Sequence, residues 1–318
     1  MSEKKDDNWE QKTIEKIAMS AIAEQKRSRR WGILFKLLTL LYLGIILFSI
    51  IVSTNQKLIR GGDFTALINI NGLIGSNLAV TAEDVIGSLE DAYNAPGVKA
   101  IILSINSPGG SPVQAGMIND EILRYKDLYP EIPVYAVVED ICASGGYYIA
   151  VAADQIFVNK ASIVGSIGVR MDGFGFEEAI LKLGIERRLM IAGENKGIMD
   201  PFLPISPEQN NFIQELLSEI HEQFIAVVKQ GRGNKLSSDP VIFSGLFWNG
   251  ASAINLGLAD HFGSVDYVVR EVVGHKEVVD FTHYDSFSER FAEKIGAGIG
   301  LSIGQNFINN IKQNFTLN

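Results

Sequence analysis

Residues 98–110 read VKAIILSINSPGG. From Val98 to Ile105 the run is apolar almost without a break. A strand with one face in water alternates apolar and polar residues, whereas a near-continuous run marks a strand covered on both faces, as in a parallel sheet. The run ends in Asn106-Ser107-Pro108-Gly109-Gly110, a cluster of turn residues. A similar arrangement recurs downstream: Pro133–Val138 reads as a second buried strand, and Ala143-Ser144-Gly145-Gly146 follows it.

Helices separate these strands. Thr81–Asn94 reads as a helix with Thr81 as N-cap and Asp84 at its third position, in capping-box style. Pro112–Lys126 reads as a second helix and Ser144–Ala153 as a short third. Thr65–Ile70, Gln155–Asn159 and Arg188–Ile191 read as further strands. Phe176–Leu183 reads as a helix stopped by Gly184, and Pro207–Gln230 as a long one. Short helical stretches follow near Gly250–Leu256 and Val265–Val273. Strand–helix–strand alternation with apolar strands predicts an α/β body, a parallel sheet flanked by helices, wound with right-handed crossovers.

The chain has 318 residues, 47% of them hydrophobic and 20% charged, which excludes a disordered chain. Its net charge of -9 is unevenly spread. Residues 1–30 hold eight Lys/Arg against six Asp/Glu, and residues 54–318 hold 19 against 31. An acidic body argues against nucleic acid as a partner. The single cysteine, Cys142, excludes an internal disulfide and any zinc site needing two cysteines. No Walker sequence or HExxH occurs, and Gly173-Phe174-Gly175 lacks the third glycine of a dinucleotide turn, so no cofactor and no metal is expected.

Between the two charged regions lies WGILFKLLTLLYLGIILFSIIVS, residues 31–53, with Lys36 its one charge. At 1.5 Å per residue this spans roughly 35 Å, enough for a hydrocarbon core of about 30 Å. A buried core helix is the plain alternative, but core helices are seldom apolar on every face over such a length. A cleaved signal peptide is another, but some 30 residues precede the run and no clear A-x-A site follows it. Residues 31–53 are therefore expected to be an uncleaved transmembrane anchor in contact with the lipid bilayer. Lys26, Arg27, Arg29 and Arg30 precede it and by the positive-inside rule lie in the cytoplasm. The expected order is a cytoplasmic segment (1–30), the anchor (31–53), a linker (54–63), and a body outside the cytoplasm. Trp9, Ile14, Ile17, Ala18, Ala21 and Ile22 fit a short amphipathic helix before the anchor, or equally a solvated tail.

Two glycine-marked turns at the carboxyl ends of buried parallel strands lie where such folds bind ligands. Gly-Gly lets backbone N–H groups point outward in conformations other residues resist, and two such groups stabilise an oxyanion. A serine at the first turn of a helix sits in positive dipole potential. The combination suits acyl transfer through a serine nucleophile. Each piece alone has a plainer reading: Ser144 as an N-cap, the glycines as ordinary turn residues.

Taken together, Asn106-Ser107-Pro108-Gly109-Gly110, Ala143-Ser144-Gly145-Gly146-Tyr147-Tyr148, Gly165-Ser166-Ile167-Gly168-Val169 and Lys196 in GENKGIMDP resemble the signal peptide peptidase A family. These are membrane-anchored bacterial serine proteases of the ClpP/crotonase fold. The resemblance spans about 64–275 and implies a protease domain there, with a C-terminal tail (276–318) available as an oligomer contact. It implies Ser144 as nucleophile, Lys196 as general base and Ser166 as the residue orienting the lysine amine. The N–H groups of Gly110 and Gly145 are the implied oxyanion donors. The family often has a third glycine where Ser111 stands. It also implies hydrophobic peptide substrates, the remnants of cleaved signal peptides, and a homo-oligomer with active sites at or near subunit interfaces. The implied location is the bacterial cytoplasmic membrane, single-pass, with the catalytic domain periplasmic or otherwise extracytoplasmic. One Ser144 motif and one Lys196 motif mark the single-length form.

A lysine in water has a pKa near 10.4, so only about 1 in 2,500 is neutral at pH 7. A lysine base therefore requires partial desolvation and no carboxylate partner, which makes Glu194 and Asp200 the residues to watch. A histidine base would have to come from His221, His261, His275 or His283, none with a distinctive local context. Cys142 reads as a small packed residue, and Tyr147 and Tyr148 as cleft lining or helix packing. Two other functions compete: a non-hydrolytic crotonase-like acyl-CoA-binding protein, and an anchored scaffold.

Overall fold

The structure is a computed structural model that describes residues 9–56 and 62–283. The chain divides into two compact units at the junction of Gly61 and Gly62. The first contains α1 (Trp9–Gln56), a single helix of 48 residues. Of the two readings of residues 9–25 the structure has the helix, continuous with residues 31–53 and ending at Gln56. No proline occurs before Pro96, and the glycines inside α1, Gly32 and Gly44, weaken a helix without breaking it. Thr13–Phe48 is long and apolar enough to cross a membrane.

The second unit alternates β1 (Phe64–Asn71), α2 (Ala82–Asn94), β2 (Val98–Ser107), α3 (Pro112–Leu128), β3 (Val134–Ala143) and α4 (Gly145–Ala150). It continues with β4 (Gln155–Val158), β5 (Ile163–Gly165), α5 (Glu177–Lys182) and α6 (Pro207–Arg232). β6 (Phe247–Asn249), α7 (Gly250–Asn255), β7 (His261–Phe262), α8 (Val265–Tyr267) and β8 (Val278–Asp280) complete the described residues. The sheet order is β6-β5-β3-β2-β1-β8, with β4 pairing both β3 and β7. This is the α/β architecture expected from the sequence, helices flanking a sheet whose strands run parallel in every pair but one. The exception is β5 against β6, which is antiparallel. Three-residue strands such as these carry no periodicity to read. No strand forms at Arg188–Ile191, where Arg188 pairs with Glu186 and the residues stay largely exposed. The C-terminal tail beyond His283 lies outside the described residues.

The apolar run of β2 feeds both faces. Ile101, Leu103 and Ile105 join the main core beneath α2, α3 and α4. Ile102 joins a second cluster with Val137, Phe157, Val268 and Val269. Thr81 caps α2 as expected, its Oγ1 accepting from the Asp84 N–H at 3.1 Å. Its hydroxyl also donates to the Asp84 carboxylate, so the capping-box return bond to the Thr81 N–H is replaced by a side-chain contact.

β3 serves two groups of strands. Its first half pairs with β4 (Tyr135↔Gln155 to Val137↔Phe157), and its last three residues pair with β5 (Ile141↔Ile163 to Ala143↔Gly165). Between them the register against β2 jumps, so that Ile105 faces Val138 but Ser107 faces Cys142. The bulge is pinned from two sides: Ser104 Oγ donates to the Glu139 carboxylate at 2.7 Å, and Ser162 Oγ donates to the Glu139 carbonyl.

One buried ion pair ties the end of α6 to the strand layer. Arg232 donates two bonds to the Asp260 carboxylate, at 2.9 and 3.0 Å, and a third to the Gly257 carbonyl. Asp260 also accepts from Lys235 and from the Ile156 N–H. Burial raises the Asp260 pKa, but the hydrogen bonds and charge of these partners outweigh it and hold the carboxyl at about 2. Its stabilisation is therefore complete above the ordinary value of 3.8 and is lost as pH falls from there through about 2. Arg232→Ala, which leaves the buried carboxylate with only Lys235 and the Ile156 N–H, is expected to cost roughly 3 kcal/mol. Urea unfolding at neutral pH checks this; an unchanged midpoint would deny the pair a structural role.

Candidate active site

Ser144 lies between β3 and α4 with φ 52° and ψ -121°, a backbone that side-chain-bearing residues rarely adopt. It occupies the cap position of α4, yet its hydroxyl makes no capping bond. The plain N-cap reading therefore fails. Its backbone is fixed at both ends: its N–H donates to the Gly165 carbonyl at 2.9 Å and its carbonyl accepts from the Tyr148 N–H at 2.9 Å. A strained, half-buried serine whose hydroxyl does no structural work is the local signature of a nucleophile.

The Gly109–Gly110 turn packs directly against it. A β-carbon on Gly109, at φ 100°, would stand 2.7 Å from both the Ser144 β-carbon and the Gly145 nitrogen. A β-carbon on Gly110 would stand 2.0 Å from the Ile74 carbonyl oxygen, so the turn admits only glycine at both places. Ile74 bridges Gly110 in parallel fashion: the Ile74 N–H donates to the Gly109 carbonyl, and the Ser111 N–H donates to the Ile74 carbonyl. Alternation along the strand then turns the Gly110 N–H away from Ile74. Neither the Gly110 nor the Gly145 N–H donates to another group among the described residues. A β-carbon on Gly145 would lie 3.3 Å from the Gly110 nitrogen, so the two donors are neighbours. Ser111 has φ -61° and caps α3, so no glycine is needed there.

Ser107 belongs to the first motif but had no role in the sequence reading. It is fully buried, donates to the Gly72 carbonyl at 2.6 Å and accepts from the Gly109 N–H at 3.1 Å. It sets the glycine turn in place. Its signal, a serine directly before Pro-Gly-Gly at a strand end, was visible but not distinctive.

Ser166 follows Gly165, whose carbonyl holds Ser144, and is itself in a left-handed conformation at φ 53°. The ladder ends at the Ala143–Gly165 pair, and Ser166 is the residue directly after it. Its N–H donates to the Leu246 carbonyl at 2.7 Å. The structure brings Ser144, Gly110 and Gly145 together and ties Ser166 to them only through the Gly165 carbonyl that accepts from the Ser144 N–H. It does not join Lys196 to them: no hydrogen bond or ion pair of the Lys196 side chain occurs among the described residues, and the residue is exposed. Asp200 is taken by Arg187 at 2.8 Å, and hydrogen bonds from Arg187 and the Phe202 N–H hold its carboxyl below the usual range. Glu194 makes no ion pair among the described residues.

None of the four histidines bonds Ser144 among the described residues, and His261 lies against the Phe157 ring. His221 bonds the Ile167 carbonyl and His283 pairs with Asp91, and neither bonds Ser144. Cys142 is fully buried, and burial pushes its thiol pKa up, away from a thiolate. Tyr147 is fully buried and donates to the Leu258 carbonyl; Tyr148 packs on Phe224. Both are helix packing.

From Gly168 to Gln223 no residue is buried. This segment nevertheless presents Met171, Phe174, Leu181, Leu183 and Met190 to solvent, with Phe174 79% and Met190 94% exposed. Lys196 lies within it.

Fold and site define an α/β protein of the serine-peptidase type. The family model described as Peptidase family S49 matches residues 126–279. A putative signal peptide peptidase SppA of Enterococcus faecium is 29% identical over 238 residues, covering 72% of this chain and 67% of that protein. These matches support a protease of peptidase family S49, the signal peptide peptidase A family. A Brucella abortus protein named Na(+)/H(+) antiporter NhaA is 46% identical over 202 residues, covering 63% of this chain. The match spans only 26% of that protein, as it does for its Brucella melitensis counterpart. The antiporter name is not carried to this chain. Among solved structures, a mutant of the 1510-N membrane-bound stomatin-specific protease in complex with a substrate peptide covers 74% of this chain at 17% identity, with a TM-score of 0.45.

Proposed function

We propose that the protein is a membrane-anchored serine endopeptidase working through a Ser144/Lys196 dyad. The observation that carries the reading is the strained Ser144, with an uncommitted hydroxyl, beside the unbonded N–H groups of Gly110 and Gly145. Ser144 Oγ attacks the scissile carbonyl carbon and its proton passes to the neutral Lys196 amine. The two N–H groups hold the oxyanion that forms. As the C–N bond breaks, the lysine ammonium returns the proton to the leaving amine, and water then hydrolyses the acyl-enzyme. Ser166, the residue after the Gly165 that holds the Ser144 N–H, orients the lysine.

A lysine base must be withdrawn from water, and a single chain leaves Lys196 exposed. The segment around it exposes Met171, Phe174, Leu181, Leu183 and Met190, side chains of the kind that surfaces bury against a partner. We infer that a second copy of the chain covers this segment and that Lys196 serves the site of a neighbouring protomer. The substrates on this reading are extended apolar peptides, the remnants of cleaved signal peptides, met at the membrane that α1 crosses. The acyl-CoA and scaffold readings are disfavoured by the uncommitted Ser144 hydroxyl, which neither requires.

An active-site fluorophosphonate or peptide aldehyde is expected to label the wild-type protein at Ser144 and to leave Ser144→Ala unlabelled. Equal labelling of both would remove Ser144 from the mechanism.

A further inference from the structure

The loop that carries Ser166 has a third attachment. Nε2 of His221, on α6, lies 3.0 Å from the Ile167 carbonyl oxygen. A carbonyl oxygen only accepts, so Nε2 carries the proton and donates. The bond survives protonation of the ring, because the imidazolium also donates from Nε2. No other donor reaches the Ile167 carbonyl among the described residues. His221 is half-buried, and it makes this contact across 54 positions of sequence.

Ser166 is one of three residues other than glycine with positive φ among the described residues, and Ser144 is another. Such a conformation costs about 1–3 kcal/mol and persists only where its surroundings hold it. Before Ser166, Gly165 is paired in the ladder and pressed against the Trp248 ring. At Ser166, the N–H is bound by the Leu246 carbonyl. After it, the Ile167 side chain is fully buried and the Ile167 carbonyl is held by His221. Without His221 the Ile167–Gly168 peptide has no polar anchor among the described residues, and on its far side the turn that begins at Ser166 is held only by the buried Ile167 side chain.

We propose that His221 is a positioning residue. By donating from Nε2 to the Ile167 carbonyl it fixes the left-handed turn at Ser166, and so the aim of the Ser166 hydroxyl. The role of Ser166 here rests on the peptidase reading above. The anchoring of the turn does not.

The full-length protein is compared with His221→Leu, which removes the donor, and His221→Gln, whose amide N–H takes the place of Nε2. In His221→Leu, kcat for peptide hydrolysis is expected to fall about 10- to 100-fold with KM held within about twofold. His221→Gln is expected to recover to within about threefold of wild type, because the hydrogen bond is restored. Exchange of the Ser166 amide, followed by mass spectrometry, is expected to quicken at least about 10-fold in His221→Leu and not in His221→Gln. Wild-type kcat in His221→Leu, or equal losses in both variants, overturns the positioning role. If the wild-type protein neither hydrolyses peptide nor labels at Ser144, the peptidase reading fails on its own. Ser166 exchange then still decides whether His221 holds the turn, and an unchanged rate sinks the proposal.

Discussion

Ser144→Ala is expected to lower kcat/KM for hydrolysis of an apolar peptide by on the order of 10⁴-fold or more. The oxyanion donors and substrate contacts persist without the nucleophile, so a small residual rate remains. Alanine has a β-carbon like serine, so the strain at φ 52° is unchanged. The serine hydroxyl makes no hydrogen bond that the fold would miss. The thermal midpoint should therefore match wild type within error. A variant retaining a tenth of the activity would show that another group attacks the carbonyl.

The second large effect is expected at Lys196. Lys196→Ala removes the proton acceptor, and the rate is expected to drop on the order of 10³-fold or more. Since Lys196 is exposed and joined to no group of the Ser144 site within one chain, the two inactive variants are expected to complement each other. Mixed oligomers of Ser144→Ala and Lys196→Ala chains contain some sites with an intact serine from one copy and an intact lysine from the next. Recovery of activity on mixing, after dissociation and reassembly, is the expected result. Full activity in Lys196→Ala alone would eliminate the dyad, and inactive mixtures would place serine and lysine in one chain.

Much of the fold was legible because it rests on long elements. The apolar run of β2, the Thr81 cap of α2 and the proline that opens α3 each report a local preference that the packed structure keeps. The antiparallel β5–β6 pair was not legible: three residues are too few for a period, and their pairing is set by contact with β3 rather than by propensity. The continuity of α1 was left open, because residues 9–25 fit a short helix and a solvated tail equally well. A change from charged to apolar side chains looks like a boundary, but the backbone has nothing there to break it.

At the site, Ser144, Gly110 and Gly145 could be picked out because glycines at strand ends are conspicuous. Ser166 could be picked out only through the family motif. Its left-handed backbone, the Ser107 bonds and the His221 clamp are long-range facts that no local pattern carries. For Lys196 the sequence motif found a residue that the described fold leaves exposed, in a segment that buries no residue.

The divided pairing of β3 makes the protein two cooperative units of unequal strength. The first half of the strand pairs with β2 over five residues and with β4 over three, whereas the last three residues, which lead into Ser144, keep one pair with β2 at Cys142 and otherwise rest on two three-residue strands beyond the Glu139 bulge. Sub-global opening follows such seams. Heating should therefore release the nucleophile before the main sheet melts, with catalytic inactivation running several degrees ahead of the loss of circular dichroism. Coincident curves would mean that the bulge transmits cooperativity rather than interrupting it. The strand that aims the serine is thus the part of the sheet that gives way first.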